Sequence, residues 1–584
     1  MTSLDWLIVI GLNGSIVAYG FYLSRGVHST TDWFLAGRGL PWWLVGLSMY
    51  ATAIDASDLV ADSGATYTLG MSVFVANWVG VTAGWVLAAY FVFKPMYRMG
   101  MYTNAEYLEA RFSPGVRVLC AFVQVQYRTM VLAIIGTTMF LTLSIVSGVS
   151  EGAAWGMVGA IAVLAAVYTA FGGLRSVAVT DSLQFVVMSV AALVIWVFVW
   201  GQVGGWQGAE QRLAAVDAEL PAQLLHVGYG NLDLKDVSGQ TAEEIERLLL
   251  LGGQYNAADA TITKFTPAWI VALAFIIIGL AYSIVNHTQA MRMFAAKSEW
   301  DMKMSVFVAG AVLLVMTFFN LSMGIMGRAL FPEQAALPQG RQDAIYPYLV
   351  SQIEAVGLKG LVVAGILAAA LSTYDSIGSS LSALLTRDVY ARLIVRDGDD
   401  HHYLRVGQWL TPAVIAVSFF YVPFMLEGGM FLFYVDLTST FVIPLLTIFL
   451  LGTCTRVHRR SGMIALLAGA LYGIVRLVAP YLAENYGVVV LPAFMVNSYA
   501  AYIISMLVTA GTAVLISLFV GWEDLSAILH EEEGEWLRSS QQAVRQLEDT
   551  SMGQEQGARS ARIPLFLSLG IVAVGCFLAF VVFW

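Results

Sequence analysis

The sequence predicts an all-α polytopic membrane protein with about fourteen transmembrane helices. Three observations predict it. Apolar runs of the roughly 20 residues that a helix needs to cross a bilayer recur along the 584-residue chain. Only 12% of residues are charged against 58% hydrophobic, for a mean hydropathy of +0.73. The runs are also continuous, whereas a strand barrel would show short segments of alternating polarity.

In order, the apolar spans fall at 4–24, 41–64, 70–95, 118–147, 152–171, 182–201, 267–291, 303–330, 346–385, 406–426, 430–453, 462–480, 494–521 and 562–584. The first is membrane-length and opens with Asp5 rather than a basic cluster, so it reads as a span and not a cleavable signal. Basic residues set the orientation. Arg25 and Arg38, then Lys94, Arg98, Arg111 and Arg117, then Arg175, then Arg292, Lys297 and Lys303, then Arg387, Arg392, Arg396 and Arg405, then Arg456, Arg459 and Arg460 fall on alternate loops. Those loops are expected in the cytoplasm and both termini outside, with Arg328 and Arg341 as the exceptions. The expected location is the bacterial inner (plasma) membrane, with the lipid bilayer as the surrounding medium.

Two polar insertions interrupt the spans. Residues 202–266 mix both charge signs with glycine and include a short helix near Thr241–Leu251. Residues 522–561 are expected to be cytoplasmic and partly helical; the acidic run 530–535 reads as a solvated helix face, not a metal site, for want of a second ligand cluster. The loop 397–402 reads the same way. Cys120, Cys454 and Cys576 stand at no metal-ligand spacing and are assigned to packing. No basic stripe supports nucleic-acid binding, and nothing marks an obligatory protein partner.

Chemistry concentrates in two spans. Ala368–Tyr390 is apolar yet carries Ser372, Thr373, Asp375, Ser376, Ser379, Ser380 and Ser382. On a helix 372, 375, 376 and 379 share one face. Hydroxyls with one carboxylate are hard oxygen ligands that suit a small hard cation such as Na+; the plainer reading of the hydroxyls is close helix packing. An intramembrane carboxylate is costly and marks function by default. The second span carries Asp55, Asp58 and Asp62 among small residues that are poor at enforcing a continuous helix. A break there would open backbone carbonyls to a cavity, which a membrane tolerates only around a buried site. Asp62, nearest the outer end, reads as a residue of the watery mouth. Asp181 opens the sixth span, either as an ordinary N-terminal charge on a helix or as a guard on an ion path.

Six segments together resemble the sodium/solute symporter family, which includes sodium–glucose cotransporters, proline permease and sialic acid transporters. They are 34–52 (FLAGRGLPWWLVGLSMYAT), 103–112 (TNAEYLEARF), 171–184 (FGGLRSVAVTDSLQ), 289–298 (QAMRMFAAKS), 324–332 (GIMGRALFP) and 369–390 (AALSTYDSIGSSLSALLTRDVY). The resemblance implies a LeuT-type fold, with two inverted five-helix repeats at about 41–201 and 267–453. Residues 1–40 would add one helix and a loop before them. Residues 454–521 and 562–584 would add three helices after them.

The resemblance also implies site residues. The family's shared sodium site would take the carbonyls of Ala51, Ile54 and Ala369 and the hydroxyls of Ser372 and Thr373. A second cation site in some relatives corresponds to Asp181, Ser372, Asp375 and Ser376, with Asp375 standing where those relatives have serine. Asp375 could equally carry a proton, or pair with Arg128 or Arg292. In the solute pocket, sugar-carrying relatives have Asn and then Glu-Gln in the first core helix; this chain has Ala53 and Ser57-Asp58. Asn286 keeps a sugar-contacting position, but His287 replaces the following Gln. Asp55 and Asp58 instead favour a solute bearing an amine or quaternary ammonium, and His287 is either a solute contact or an interior hydrogen-bonded histidine.

The expected function is a sodium-coupled secondary symporter that imports a small polar organic solute by alternating access. The alternatives are a proton-coupled symporter and a transporter-like membrane sensor. No nucleophile–base pair or phosphate-cradling loop marks an enzyme or an ATP-driven pump.

Overall fold

The computed structural model describes residues 1–24, 29–257, 260–428, 430–523 and 562–584. Among them, twelve helices are long and apolar enough to cross a membrane, or thirteen when the bent pair Trp42–Ala53 and Ala56–Val73 counts as one span. The longest, Glu151–Val203, has 53 residues. A straight helix of that length would reach about 80 Å, more than twice the hydrocarbon thickness. It is interrupted at Gly173 (φ 59°, ψ 178°), where a side chain would also come within 2.9 Å of the Trp33 backbone. Only glycine takes that conformation cheaply, and the interruption separates the two spans expected at 152–171 and 182–201.

Two other expected spans are divided. The ninth begins later than expected: Ile345–Ser351 is a separate short helix, and the long helix starts at Leu358, after Gly357 with φ 86°. The seventh stops at Val285 and resumes as His287–Phe294. A continuous apolar pattern could not announce this division, because the turn is made by one residue, Asn286, in extended backbone (ψ 107°).

The fold is the LeuT-type inverted repeat, and its two halves show the same device. The first core helix breaks at Ile54–Asp55, with a 50° bend between its halves. The sixth breaks at Asn286. In each, an Asx side chain restarts the helix: Asp55 accepts a hydrogen bond from Ser57 N (2.7 Å), and Asn286 Oδ1 accepts one from Thr288 N (3.0 Å). Such caps satisfy amide donors that a helix start leaves open.

The eighth core helix, Leu358–Ile394, is the buried axis of the molecule, packed against Glu151–Val203, Pro114–Ser147 and the first helix Ser3–Leu23. Asp5 of that first helix accepts hydrogen bonds from Gly357 N (2.8 Å) and Gly360 N (3.0 Å), so it caps the axis. Close backbone contacts place the bundle helices. A side chain at Gly279 would lie 2.4 Å from Ala76 O and Val81 N, so the sixth core helix meets the second at van der Waals range.

The 202–266 insertion holds more structure than its composition indicates. The helix Ala242–Leu249 is present, started by a Thr241/Glu244 capping box. It packs beside an antiparallel sheet of β1 (Asn231–Asp236), β2 (Gln254–Asn256) and β3 (Thr261–Thr266) in the order β1-β3-β2. These strands are short and pair across some thirty intervening residues (Asn231 with Thr266), which no local pattern reveals. The helical expectation for residues 522–561, including the acidic run 530–535, lies outside the described residues from 524 on, as does Arg25.

Candidate functional site: a broken helix, a hydroxyl cluster and an acidic cavity

Where the first core helix stops, its last carbonyls lose their intrahelical donors. Ala51 and Ile54 lie in that last turn. The eighth core helix faces it with a row of hydroxyls. Ser372 Oγ lies 3.0 Å from Ala51 O and 2.9 Å from Ala369 O, and Thr373 Oγ1 lies 3.3 Å from Ala369 O. Four of the five expected sodium ligands therefore converge as oxygens of two helices, all fully buried. The fifth, Ile54, is the C-cap residue at the break. Neutral hydroxyls and carbonyls suit a hard monovalent ion.

One turn further along, a buried ionic cluster joins four core helices. Arg292 donates to Ser48 Oγ through Nε (2.7 Å), to Thr288 O through Nη1 (2.9 Å), and to Asp181 Oδ2 and Ser376 Oγ through Nη2 (2.8 Å for Asp181). Ser48 donates on to Asp181 Oδ2 (2.5 Å), and Ser376 to Asp375 Oδ1 (3.1 Å). Tyr168 donates its hydroxyl to Asp375 Oδ2. The expected trio Asp181, Asp375 and Ser376 is thus brought together around a guanidinium. Of the two basic partners anticipated for Asp375, Arg292 reaches it through Ser376, while Arg128 belongs elsewhere. The cluster has two carboxylates and one cation, and Asp181 Oδ1 has no hydrogen-bond partner.

On the other side of the break lies a cavity of about 100 Å³. Ala53, Asp55, Ser57, Asp58 and Asp62 form one wall, and Tyr127, Arg128, Tyr282, Tyr434, Phe275 and Phe431 face them. Asp55 and Asp58 also form a reciprocal capping box: Asp58 Oδ2 accepts from Asp55 N (2.7 Å), while Asp55 accepts from the backbone and hydroxyl of Ser57. Asp62 stands one turn beyond Asp58 on the same face, so it belongs to the wall and not only to the mouth.

Asn286 and His287, expected as solute contacts, do not line this cavity. They are turned into the protein at the second break, where His287 N donates to Gln124 Oε1 (2.7 Å) and both imidazole nitrogens are unpartnered. Sequence reasoning missed the role of Arg128. Its signal was present: a basic residue inside the apolar run 118–147 is itself an intramembrane charge that asks for a function. The aromatic wall carried no such signal, since rings at helical spacing are ordinary core.

Comparison with known proteins completes the picture. Residues 33–469 match the family model described as the sodium:solute symporter family. The chain is 25% identical over 492 residues to the sodium/myo-inositol cotransporter 2 of Rattus norvegicus, covering 80% of this chain and 69% of that protein. It is 26% identical over 499 residues to the sodium/glucose cotransporter 1 of Mus musculus, covering 80% and 70%. Among solved structures, a Na+-coupled sialic acid symporter in a substrate-bound outward-open state superposes with TM-score 0.71 at 18% identity, over 90% of this chain and 99% of that one. The nucleobase–cation–symport-1 family transporter Mhp1, in a closed conformation, gives 0.51 at 11% identity, over 87% and 97%. At these identities the two structures establish the shared fold.

Proposed function

The chain belongs to the sodium:solute symporter family, whose model covers residues 33–469, and from that premise we propose how its own residues couple sodium to a solute. Sodium binds between the first and eighth core helices, on the carbonyls of Ala51, Ile54 and Ala369 and the hydroxyls of Ser372 and Thr373. The observation that carries this reading is the broken helix meeting the hydroxyl row, with Ser372 Oγ 3.0 Å from Ala51 O. Sodium there ties the two helices together, favouring the conformation in which the cavity beyond Asp55 is formed. Coupling requires only that the ion prefer that state over the others. Rocking of one helix group against the other then exposes both sites to the opposite side.

The cluster of Asp181, Asp375 and Ser376 around Arg292 is a second monovalent-cation site. Its charge count supports this: with both carboxylates ionised it carries one net negative charge, one positive charge short of neutral, deep in the bilayer. That cation is either a second sodium or a proton. The solute is a small polar molecule held by Ala53, Asp55, Ser57 and Asp58, with Asn286 and His287 contributing when the second break moves. The acids favour a solute with an amine over the neutral polyols in the names of the relatives. Both termini lie outside and the Arg- and Lys-rich loops in the cytoplasm of a bacterial inner membrane, by the positive-inside rule. The protein acts as a transporter and not an enzyme, without an obligatory protein partner.

Uptake into proteoliposomes under an imposed inward sodium gradient, at equal pH on both sides, tests the coupling. Ser372→Ala and Thr373→Ala should each raise the sodium concentration needed for half-maximal uptake about tenfold, the value of one lost ligand hydrogen bond or coordination contact. Unchanged sodium dependence in both variants would remove the site.

A further inference from the structure

Arg128 is 2% exposed and lines the cavity, yet its Nε and Nη2 have no hydrogen-bond partner. No carboxylate among the described residues lies within ion-pair distance of it. Its guanidinium lies over the rings of Tyr127 (5.5 Å) and Tyr282 (5.9 Å), which hold its faces. The unpaired edge is the one that carries Nε–H and Nη2–H, both buried, the pair of parallel donors that matches the two oxygens of a single carboxylate. A guanidinium buried inside a membrane protein with its fork unpaired is a strongly unfavourable arrangement unless something completes it.

The opposite wall has the reverse deficit. Asp55 and Asp58 are engaged in part by the helix start they cap. Asp62 has no cationic partner within ion-pair distance. Asp58 and Asp62 stand at i and i+4, where two like charges repel. The cavity therefore holds three acids and one base with no ion pair in contact distance between them, Asp55 being the acid near enough to feel the charge of Arg128.

We infer that the solute is a zwitterion, with a carboxylate received by the Nε/Nη2 edge of Arg128 and an amine or quaternary ammonium received by Asp58 and Asp62. The inference rests on the reading of this cavity as the solute site. Each simpler solute leaves a defect. An amine alone leaves Arg128 unpaired, a carboxylate alone leaves the acids unpaired, and a neutral polyol leaves both. The rings of Tyr127, Tyr282 and Tyr434 suit the ammonium end as well, since aromatic faces attract cations.

The test is thermal unfolding of the purified full chain in sodium or in potassium, with matched probes. The zwitterions are L-alanine, β-alanine, γ-aminobutyrate and glycine betaine. Ethanolamine and choline carry the cation alone, propionate the anion alone, and glucose and myo-inositol neither. At least one zwitterion should stabilise the protein in sodium, with the single-charge and neutral probes at least about tenfold weaker. Arg128→Gln should weaken that zwitterion about tenfold and bring it level with the amine-only probe. Asp58→Asn should bring it level with the acid-only probe. The ion-dependent melting shift without solute reports whether each variant is folded. Should Arg128→Gln fail to fold, Arg128→Lys keeps the charge but not the fork and should lose part of the preference.

Two outcomes overturn the inference: no zwitterion stabilises the protein, or a sugar or a simple amine does so as strongly. Failure of the symport reading looks different, because a zwitterion would then stabilise equally in sodium and in potassium.

Discussion

Arg292 shows how much one side chain can organise. It is fully buried and ties Ser48, Thr288, Asp181 and Ser376 together from four core helices. Removing one member of a buried ion pair strands its partner, which costs about 3–5 kcal/mol, whereas replacing both members by neutral groups costs far less. Arg292→Met should therefore lower the melting temperature sharply and reduce the yield of monodisperse protein. The double variant Arg292→Met/Asp181→Asn should recover most of that loss. Equal losses in the single and double variants would mean that the charge pair is not what matters. At this scale the sequence was informative for residues whose chemistry is odd in a membrane: Ser372, Thr373, Asp375, Asp55 and Asp58 all stand out, and all lie at the sites described. It was silent on partners, since it could offer Arg128 and Arg292 to Asp375 but not choose between them.

Helices are legible by length and hydropathy, and their breaks are legible only when polar residues crowd them. The first break could be read from three aspartates among small residues. The second could not, because a lone Asn286 beside His287 looks like any polar pair in an apolar span. Glycines placed by close approach were equally hidden: Gly279 is one of 54 glycines, and only the fold reveals that it faces backbone. Gly279→Val should force the second and sixth core helices apart, at a cost of about 1–3 kcal/mol or more. The expected readout is a melting temperature lower by several degrees with transport lost. The corresponding change at Gly511, which meets nothing within 4 Å, should leave both nearly unchanged.

At the scale of the whole molecule, the expected LeuT-type fold agrees with the structure, because repeat architecture rests on many spans at once and tolerates errors in each. The small sheet of the 202–266 insertion was invisible for the opposite reason: its pairing is long-range and its strands are few. Alternating access makes a prediction about the whole chain. In a cysteine-free background, Asn77→Cys places a thiol on the cavity wall. Its labelling by a membrane-impermeant reagent added outside should rise in sodium and fall again when the transported solute is added. Sodium can shift this population only by its preference for one state over the other, so labelling equal in sodium and potassium would contradict ion-driven opening.

Asp55 and Asp58 both begin a helix and line the chamber, so on the proposed reading cargo preference and folding are inherited together at these two positions. Attempts to retune selectivity by trading acids for alanines would be read through a protein whose hinge has been unlaced. Asparagine at 55 separates the two duties, since its carbonyl oxygen caps as well as a carboxylate does while the charge is gone. Directed evolution toward uncharged cargo would be expected to pass through amides here before reaching any aliphatic residue.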